Sequence, residues 1–309
     1  MKNFNFADKE LQCRQTFDQH GPYWHIATPG ISTEILFTNN DEYKFGMSLM
    51  AESACVTGIK TFSFSVMSNH LHNLCEARHK QKCIDFLDHY ATRLKRFYAL
   101  KGRSLNLKGF VCDPVPVLTL QAMRNNIAYI DRNGYVVNPE RTPYSYPWGT
   151  GFLYFGYSPS LIPSTPYSSL TIREKREILH SREISLPDSL SVRNGFIAPE
   201  SFVDWKTGRV FFRDAHQYFN LLSKNREAYA EFAALYRDSI VLTDDEMFSA
   251  AFSSATEDYN VKKLDELSQE QKKALARKLH FDYRAGNAQI SRILKLDKTL
   301  LQEMFPVAK

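Results

Sequence analysis

Hydrophobic residues in the first third of the chain fall into short alternating runs separated by helical stripes. Residues 23–28 (YWHIAT) are aromatic and β-branched and are bounded by Gly21-Pro22 and Pro29-Gly30, which predicts a strand between turns. From Asp41 the apolar residues Phe45, Leu49, Met50, Cys55 and Ile59 recur near a 3.6-residue period, as in a helix. In TFSFSVM, Phe62, Phe64 and Val66 alternate with Thr61, Ser63 and Ser65, the pattern of a half-buried strand. Ser68-Asn69 supplies turn chemistry and His70 to Glu76 continues extended, so the two runs are expected to pair antiparallel. Ile84, Leu87, Ala91, Leu94 and Phe97 form one stripe of a helix from about Lys80 to Lys101. GFVCDPVPV predicts another strand, and Leu118 to about Asn133 another helix. This order describes an α+β domain, an antiparallel sheet with helices on one face.

The character then changes. Residues 138–166 are rich in Pro, Tyr, Gly and Ser and read as an irregular connection, and from Ala215 onward the pattern is mostly helical. A domain boundary is expected near residue 165, giving domains 1–165 and 166–309. Ser268 and Gln271 have capping-box spacing; Asn287 and Asp297 could cap two further helices. Within 268–305, the piece from Ala288 to Phe305 reads as helix, tight turn, helix, and so resembles a helix-turn-helix. On its second helix Lys298, Thr299 and Gln302 would meet DNA. The alternative is a helical hairpin that packs on the first domain.

Composition narrows the class without choosing a function. The chain is 43% hydrophobic with a formal charge of +5 and a pI near 8.8, which permits an anionic partner but does not demand one. Five cysteines, Cys13, Cys55, Cys75, Cys83 and Cys112, are scattered without a CxxC pair, the pattern of buried thiols in a reducing compartment. No apolar run reaches the roughly 18 residues needed to span a bilayer. The expectation is a soluble, cytoplasmic protein with no membrane partner.

Candidate chemistry centres on residues 66–74, VMSNHLHNL. In a strand, side chains i and i+2 share a face, so His70 and His72 project together, away from Leu71. Two neutral imidazoles can supply two ligands to a divalent metal but cannot complete a site. Residues 93–103, RLKRFYALKGR, mix Arg93, Lys95 and Arg96 with Phe97 and Tyr98. That mixture suits a single-stranded backbone with stacked bases, or else a solvated face over buried aromatics.

VMSNHLHNL resembles the MPNHxHLLL signature of the HUH nucleases, more narrowly the single-tyrosine transposase family that includes the REP-associated tyrosine transposases. YWHIATPGISTEILFTNNDEYKF is similar to that family's opening strand, loop and first helix. AYIDRNGYVVNPERTPYSYPWGTG resembles its YIxxNP…YPWSS stretch. The three matches lie in order over about residues 20–155. The resemblance implies a ferredoxin-like HUH domain, a nucleophile at Tyr129, and a metal site of His70, His72 and Asn133. Mg²⁺ or Mn²⁺ suits phosphate chemistry, and Mn²⁺ tolerates imidazole better. Tyr129 and Asn133 are four residues apart on one predicted helix face. The implied reaction joins Tyr129 to a 5′-phosphate of single-stranded or hairpin DNA, frees a 3′-hydroxyl, and is reversible by strand transfer. A homodimer is compatible with this, with the tyrosine acting in its own or a neighbouring site. Three positions depart from the family pattern: Asn73 replaces an apolar residue, Gly134 replaces the proline after the asparagine (Asn138-Pro139 comes later), and YPWGTG replaces YPWSS. The rival readings are a domesticated, non-catalytic DNA-binding or regulatory protein on the same fold, and a two-domain structural protein whose histidine pair is incidental.

Overall fold

The computed structural model describes residues 6–29, 36–137, 146–156, 162–223, 244–283 and 285–306. Parts of the quoted motifs, at 30–35 and 138–145 with Asn138-Pro139, lie outside the described residues. The fold is α+β, with eleven helices and two antiparallel sheets among the described residues. The chain divides into two units, residues 1–135 with 141–238, and residues 136–140 with 239–309.

In the first unit, β1 (Tyr23–Ala27), β2 (Lys60–Val66), β3 (Leu71–Glu76) and β4 (Val115–Val117) form a sheet in the order β2-β3-β1-β4, antiparallel throughout. The expected β2–β3 pairing is present. Helix α1 (Phe6–Asp18) precedes the sheet, α2 (Asn40–Thr57) joins β1 to β2, and α3 (Lys80–Leu100) joins β3 to β4. α2 is set by its ends: Asn39 Oδ1 accepts the Glu42 N–H, and Gly58 closes the helix at φ 69°, a conformation glycine adopts without cost.

Directly opposed residues in antiparallel strands share a face. His25, Ala27, His72, Leu74 and Ser65 therefore line one side, and Ile26, Asn73, Phe64 and Cys75 the other. Cys75 Sγ lies 3.9 Å from Cys83 of α3, on the α2/α3 side. Helix α4 (Leu120–Val137) covers the opposite side, where Asn126 meets His25 and Asp131 meets Ser63. Helices thus lie on both faces and not on one. The reason is that α4 is buried nearly all round, with Met123, Asn126, Ile127, Tyr129, Ile130, Asp131 and Asn133 each less than 5% exposed. A proline at 134 would disfavour helical geometry at Asn133; with Gly134 there, α4 runs on to Val137. Residues 146–150 line the edge of β2, with Tyr146 Oη donating to Val66 O (2.7 Å) and Val66 N to Trp148 O (2.8 Å).

The boundary expected near 165 falls inside this unit. Strands β5 (Thr165–Pro166), β6 (Ser191–Arg193) and β7 (Phe196–Ile197) form a second small sheet beside α5 (Ile172–Leu179). Tyr167, Leu179, Leu190, Val192 and Ile197 bury themselves in one core with Ala51 of α2. Runs of two or three strand residues are too short to show a period, so the sequence pattern hides this return to α2. Helices α6 (Trp205–Val210) and α7 (Ala215–Leu222) complete the unit.

The second unit holds α8 (Asp244–Tyr259), α9 (Gln269–Tyr283), α10 (Asn287–Leu294) and α11 (Lys298–Met304). Its core includes Met247, Leu275, Leu279, Ile290, Leu294 and Leu301. The capping box forms, with Ser268 N donating to Gln271 Oε1 (2.8 Å) and Gln271 N to Ser268 Oγ (3.3 Å), and Asp297 caps α11. Gly286, not Asn287, occupies the α10 cap position; Asn287 Nδ2 instead donates to Phe305 O (3.0 Å). Lys295 at φ 54° makes the turn between α10 and α11, and Lys298, Thr299 and Gln302 are exposed on α11. No helix among the described residues is long and apolar enough to cross a membrane.

Asn73 sits wholly buried on the α2/α3 side of the sheet, between Ile26 and Phe64, with neither Nδ2 nor Oδ1 hydrogen-bonded. A buried amide without partners forfeits its hydration. Asn73→Leu is expected to stabilise the protein by about 1–3 kcal/mol, read as a higher urea midpoint at unchanged m-value. A lowered midpoint would show that the amide is satisfied after all.

Candidate functional site

Three expected site residues come together on the α4 side of the sheet. The His70 and His72 rings lie 5.1 Å apart, edge to face, and the Tyr129 ring meets His72 edge to face at 5.4 Å. β3 places His72, and α4 lays Tyr129 over it. Asn133 lies one turn further along α4 and is buried. His72 is fully buried and Tyr129 only 4% exposed, so a large ligand reaches the tyrosine only when its cover moves.

A third histidine, missed in the sequence pattern, joins them. His25 of β1 touches His72 through Nε2···Nδ1 (3.1 Å) and Asn126 Oδ1 through Nδ1 (2.6 Å), with its ring 6.2 Å from Tyr129. The only signal in the sequence is that His25 stands at a strand position whose neighbours Tyr23 and Ala27 face the same way; its partner lies 47 residues on.

These contacts fix the tautomers. Asn126 Nδ2 donates to Ala122 O (2.8 Å), so its Oδ1 faces His25. An amide oxygen only accepts, which puts the His25 proton on Nδ1. His25 Nε2 then accepts from His72 Nδ1–H, leaving the His72 lone pair on Nε2. Asn69 Oδ1 accepts from His70 Nδ1 at 2.8 Å and puts the His70 lone pair on Nε2 likewise. Both imidazoles of the pair are thereby in the form that binds a metal, each oriented through its other nitrogen. Among the described residues no three His, Cys, Asp or Glu side chains form a metal-binding group. The expected set contains only two such residues and an asparagine.

Asp131, two residues after Tyr129, is wholly buried and holds α4 in place. The Tyr218 hydroxyl donates to Oδ2 (2.8 Å), and Ser63 Oγ and Thr150 Oγ1 donate to Oδ1 (3.1 and 3.2 Å). Burial outweighs these three donors and pushes its pKa up to about 7 from an ordinary 3.8. The folded state therefore holds this proton where the unfolded chain has lost it. Stability is full below pH 4, falls as pH rises from 4 to 7, and is flat above. The expected loss is at most about 4 kcal/mol across that window. Asp131→Asn is expected to remove this slope, measured by urea unfolding at pH 4.5 and 7.5. An unchanged slope in the variant would place the titration elsewhere.

The proposed DNA contacts on α3 divide. Arg93 is buried: Nε and Nη2 donate to the Glu52 carboxylate (2.9 and 3.2 Å), and Nη2 also to Leu179 O (2.7 Å). This side chain is a structural strut and does not face solvent. Phe97 and Tyr98 are core residues, with Lys101 over the Phe97 ring (4.3 Å) and Arg103 over Tyr98 (4.7 Å), so no stacking platform is exposed there. Lys95 and Arg96 are exposed, across the sheet from His72. No family model, curated protein or solved structure matches this chain.

Proposed function

We propose that the chain is a metal-dependent single-tyrosine nuclease and strand transferase of the HUH transposase kind, acting on single-stranded or hairpin DNA. The observation that carries this reading is the meeting of Tyr129 with a histidine pair whose tautomers leave both Nε2 atoms as donors of a lone pair. The strand order β2-β3-β1-β4, with α2 and α3 as its two crossovers, agrees with the expected ferredoxin-like HUH domain. The exposed Lys298, Thr299 and Gln302 on α11 agree with a helix-turn-helix that assists DNA recognition. Five free cysteines accord with a cytoplasmic setting.

His70 and His72 would hold Mg²⁺ or Mn²⁺ with Asn133 as the third protein ligand. Bound there, the ion supplies Lewis-acid stabilisation of a phosphoryl oxygen. The chain does the rest. Tyr129 Oη attacks phosphorus; the Oη–P bond forms, the P–O3′ bond breaks, and the phenol's proton is balanced by protonation of the leaving 3′-oxygen. An ordinary tyrosine pKa of about 10 leaves the phenol neutral at pH 7, so attack requires help in shedding its proton. The phosphotyrosine link conserves the bond, and a second 3′-hydroxyl reverses the step.

The test is incubation of the full chain with 3′-labelled hairpin and single-stranded DNA and Mn²⁺, since the fragment 3′ of the cut is the one that stays on the tyrosine. A denaturant-resistant adduct that mass spectrometry maps to Tyr129 is expected. An adduct on another residue overturns the assignment. The burial of the site favours one second reading, a DNA-binding protein that no longer cleaves; binding without adduct from any substrate selects it.

The histidine relay gives a separate prediction. His25→Phe removes the acceptor of His72 Nδ1–H and releases the ring. Mn²⁺ affinity, followed by titration calorimetry, is expected to fall about 10–100-fold. His25→Gln offers both an acceptor and a donor and is expected to recover most of it. Equal Mn²⁺ affinity in wild type and His25→Phe argues against the relay.

A further inference from the structure

Between α1 and α6 lies a cavity of about 400 Å³, lined by Lys9, Lys206, Arg209 and Arg213 together with Phe155 and Trp205. This volume is on the scale of small-ligand sites. Its acidic lining residue, Asp214, is occupied in capping α7 through Gln217 N (2.8 Å), and Arg213 lies 3.7 Å from Glu10. Among the described residues, Lys9, Lys206 and Arg209 form no ion pair. The cavity is therefore strongly cationic.

Its aromatics are half-buried and arranged with the cations. The Arg209 guanidinium lies 4.8 Å from the Phe155 ring and 5.8 Å from Trp205, and Lys206 Nζ lies 5.8 Å from Trp205. Phe155 sits at φ 59°, which a bulky residue adopts only when its surroundings impose it. Its ring is backed by Tyr218 at 5.4 Å and Phe212 at 6.1 Å. α6 is firmly seated: a Cβ at Gly208 would fall 2.1 Å from Tyr154 Oη. One side chain ties this wall to the helix of Tyr129. Arg124 of α4 donates to Phe211 O (2.6 Å) and pairs with Glu10 of α1 (3.0 and 2.9 Å). Tyr129 lies five residues along α4, about 7.5 Å of helix rise.

We infer that this cavity is a subsite for single-stranded DNA, taking a base against Trp205 and the flanking phosphates on Lys9, Lys206 and Arg209, with Phe155 holding the Arg209 guanidinium in place. The inference rests on the reading that the substrate is single-stranded DNA. Cations alone would suit any anion; cations set beside the half-buried Trp205 ring suit a flexible strand, because every base offers a π-face to stack and every linkage a charge.

The test uses the full chain and fluorescein-labelled dT12, with anisotropy read over a range of salt. Lys206→Gln with Arg209→Gln is expected to lower affinity about tenfold and flatten the log K against log salt slope by about 1.4, two contacts at 0.7 each. Trp205→Leu is expected to lower affinity about tenfold without changing that slope, whereas Trp205→Phe keeps the ring and the affinity. Wild-type binding by the charge variant overturns the inference. So does a base-free phosphodeoxyribose 12-mer that binds as tightly as dT12. Arg209-dependent binding to phosphatidylserine vesicles without binding of dT12 assigns the patch to a lipid surface and overturns it too. The adduct at Tyr129 is scored separately. Arg209-dependent dT12 binding without any adduct leaves the subsite standing and removes the nuclease. Normal binding by all variants beside a Tyr129 adduct removes the subsite alone.

Discussion

Tyr129→Phe is expected to form no covalent adduct with hairpin DNA, a drop of at least about 10³-fold, while folding and DNA affinity stay near wild type. The substitution removes one atom. The ring that packs at 5.4 Å from His72 and 6.2 Å from His25 remains, so the core loses little. Binding is expected to persist because the groups that would contact DNA phosphates lie elsewhere. A control separates nucleophile from metal site: His72→Ala is expected to reduce both adduct and Mn²⁺ affinity, whereas Tyr129→Phe reduces the adduct alone. Denaturing gels with end-labelled DNA read the first quantity, and calorimetry the second. Tyr154 and Tyr218 are buried on the same side of the sheet, near Asp131, and are the natural substitutes. An adduct persisting in Tyr129→Phe and mapped to either would transfer the role and sink the present assignment.

What the sequence made legible was local. The hairpin of β2 and β3 follows from two-residue alternation broken at Ser68-Asn69, but the half-buried strand expected of it does not: the register shifts between Thr61 and Ser63, and helices on both faces bury the polar as well as the apolar residues of β2. The Ser268–Gln271 box and the Asp297 cap were legible because each bond spans two or three residues. The same-face projection of His70 and His72 followed from strand geometry alone. Long-range partners were not legible. His25 meets His72 because the β1–β3 register sets Ala27 opposite His72, and no spacing in the chain announces a register. Asn126 matters only because α4 crosses above His25, and Asp131 because Ser63, Thr150 and Tyr218 converge on it from separate segments. The misplaced boundary has the same origin: the core shared by Ala51, Tyr167 and Ile197 joins segments more than a hundred residues apart.

Arg93→Ala is expected to cost about 3–5 kcal/mol of stability, since it leaves a buried carboxylate without its partner. Nothing in the chain's pattern hints at this, because an arginine beside Lys95 and Arg96 on a basic helix looks like a solvent-facing cation. The fold shows otherwise: its side chain is 10% exposed, Glu52's 7%, and one guanidinium fork joins α3 to α2 through Glu52 and to α5 through Leu179 O. The two charges satisfy each other at the cost of leaving water, so removing one is worse than removing both. Arg93→Met combined with Glu52→Leu is therefore expected to lose much less than Arg93→Ala. Glu52→Gln, which keeps an acceptor for the fork but not the charge, is expected to fall between them. Lys95→Ala and Arg96→Ala, both exposed, are expected within about 0.5 kcal/mol of wild type. Urea midpoints at constant m-value measure all of these. If Arg93→Ala unfolds like wild type and instead weakens DNA binding with a shallower salt slope, the strut is wrong and the side chain faces nucleic acid. A large loss in the single variant, mostly recovered in the double, makes Arg93 a buried cation retained for the joint between α2, α3 and α5.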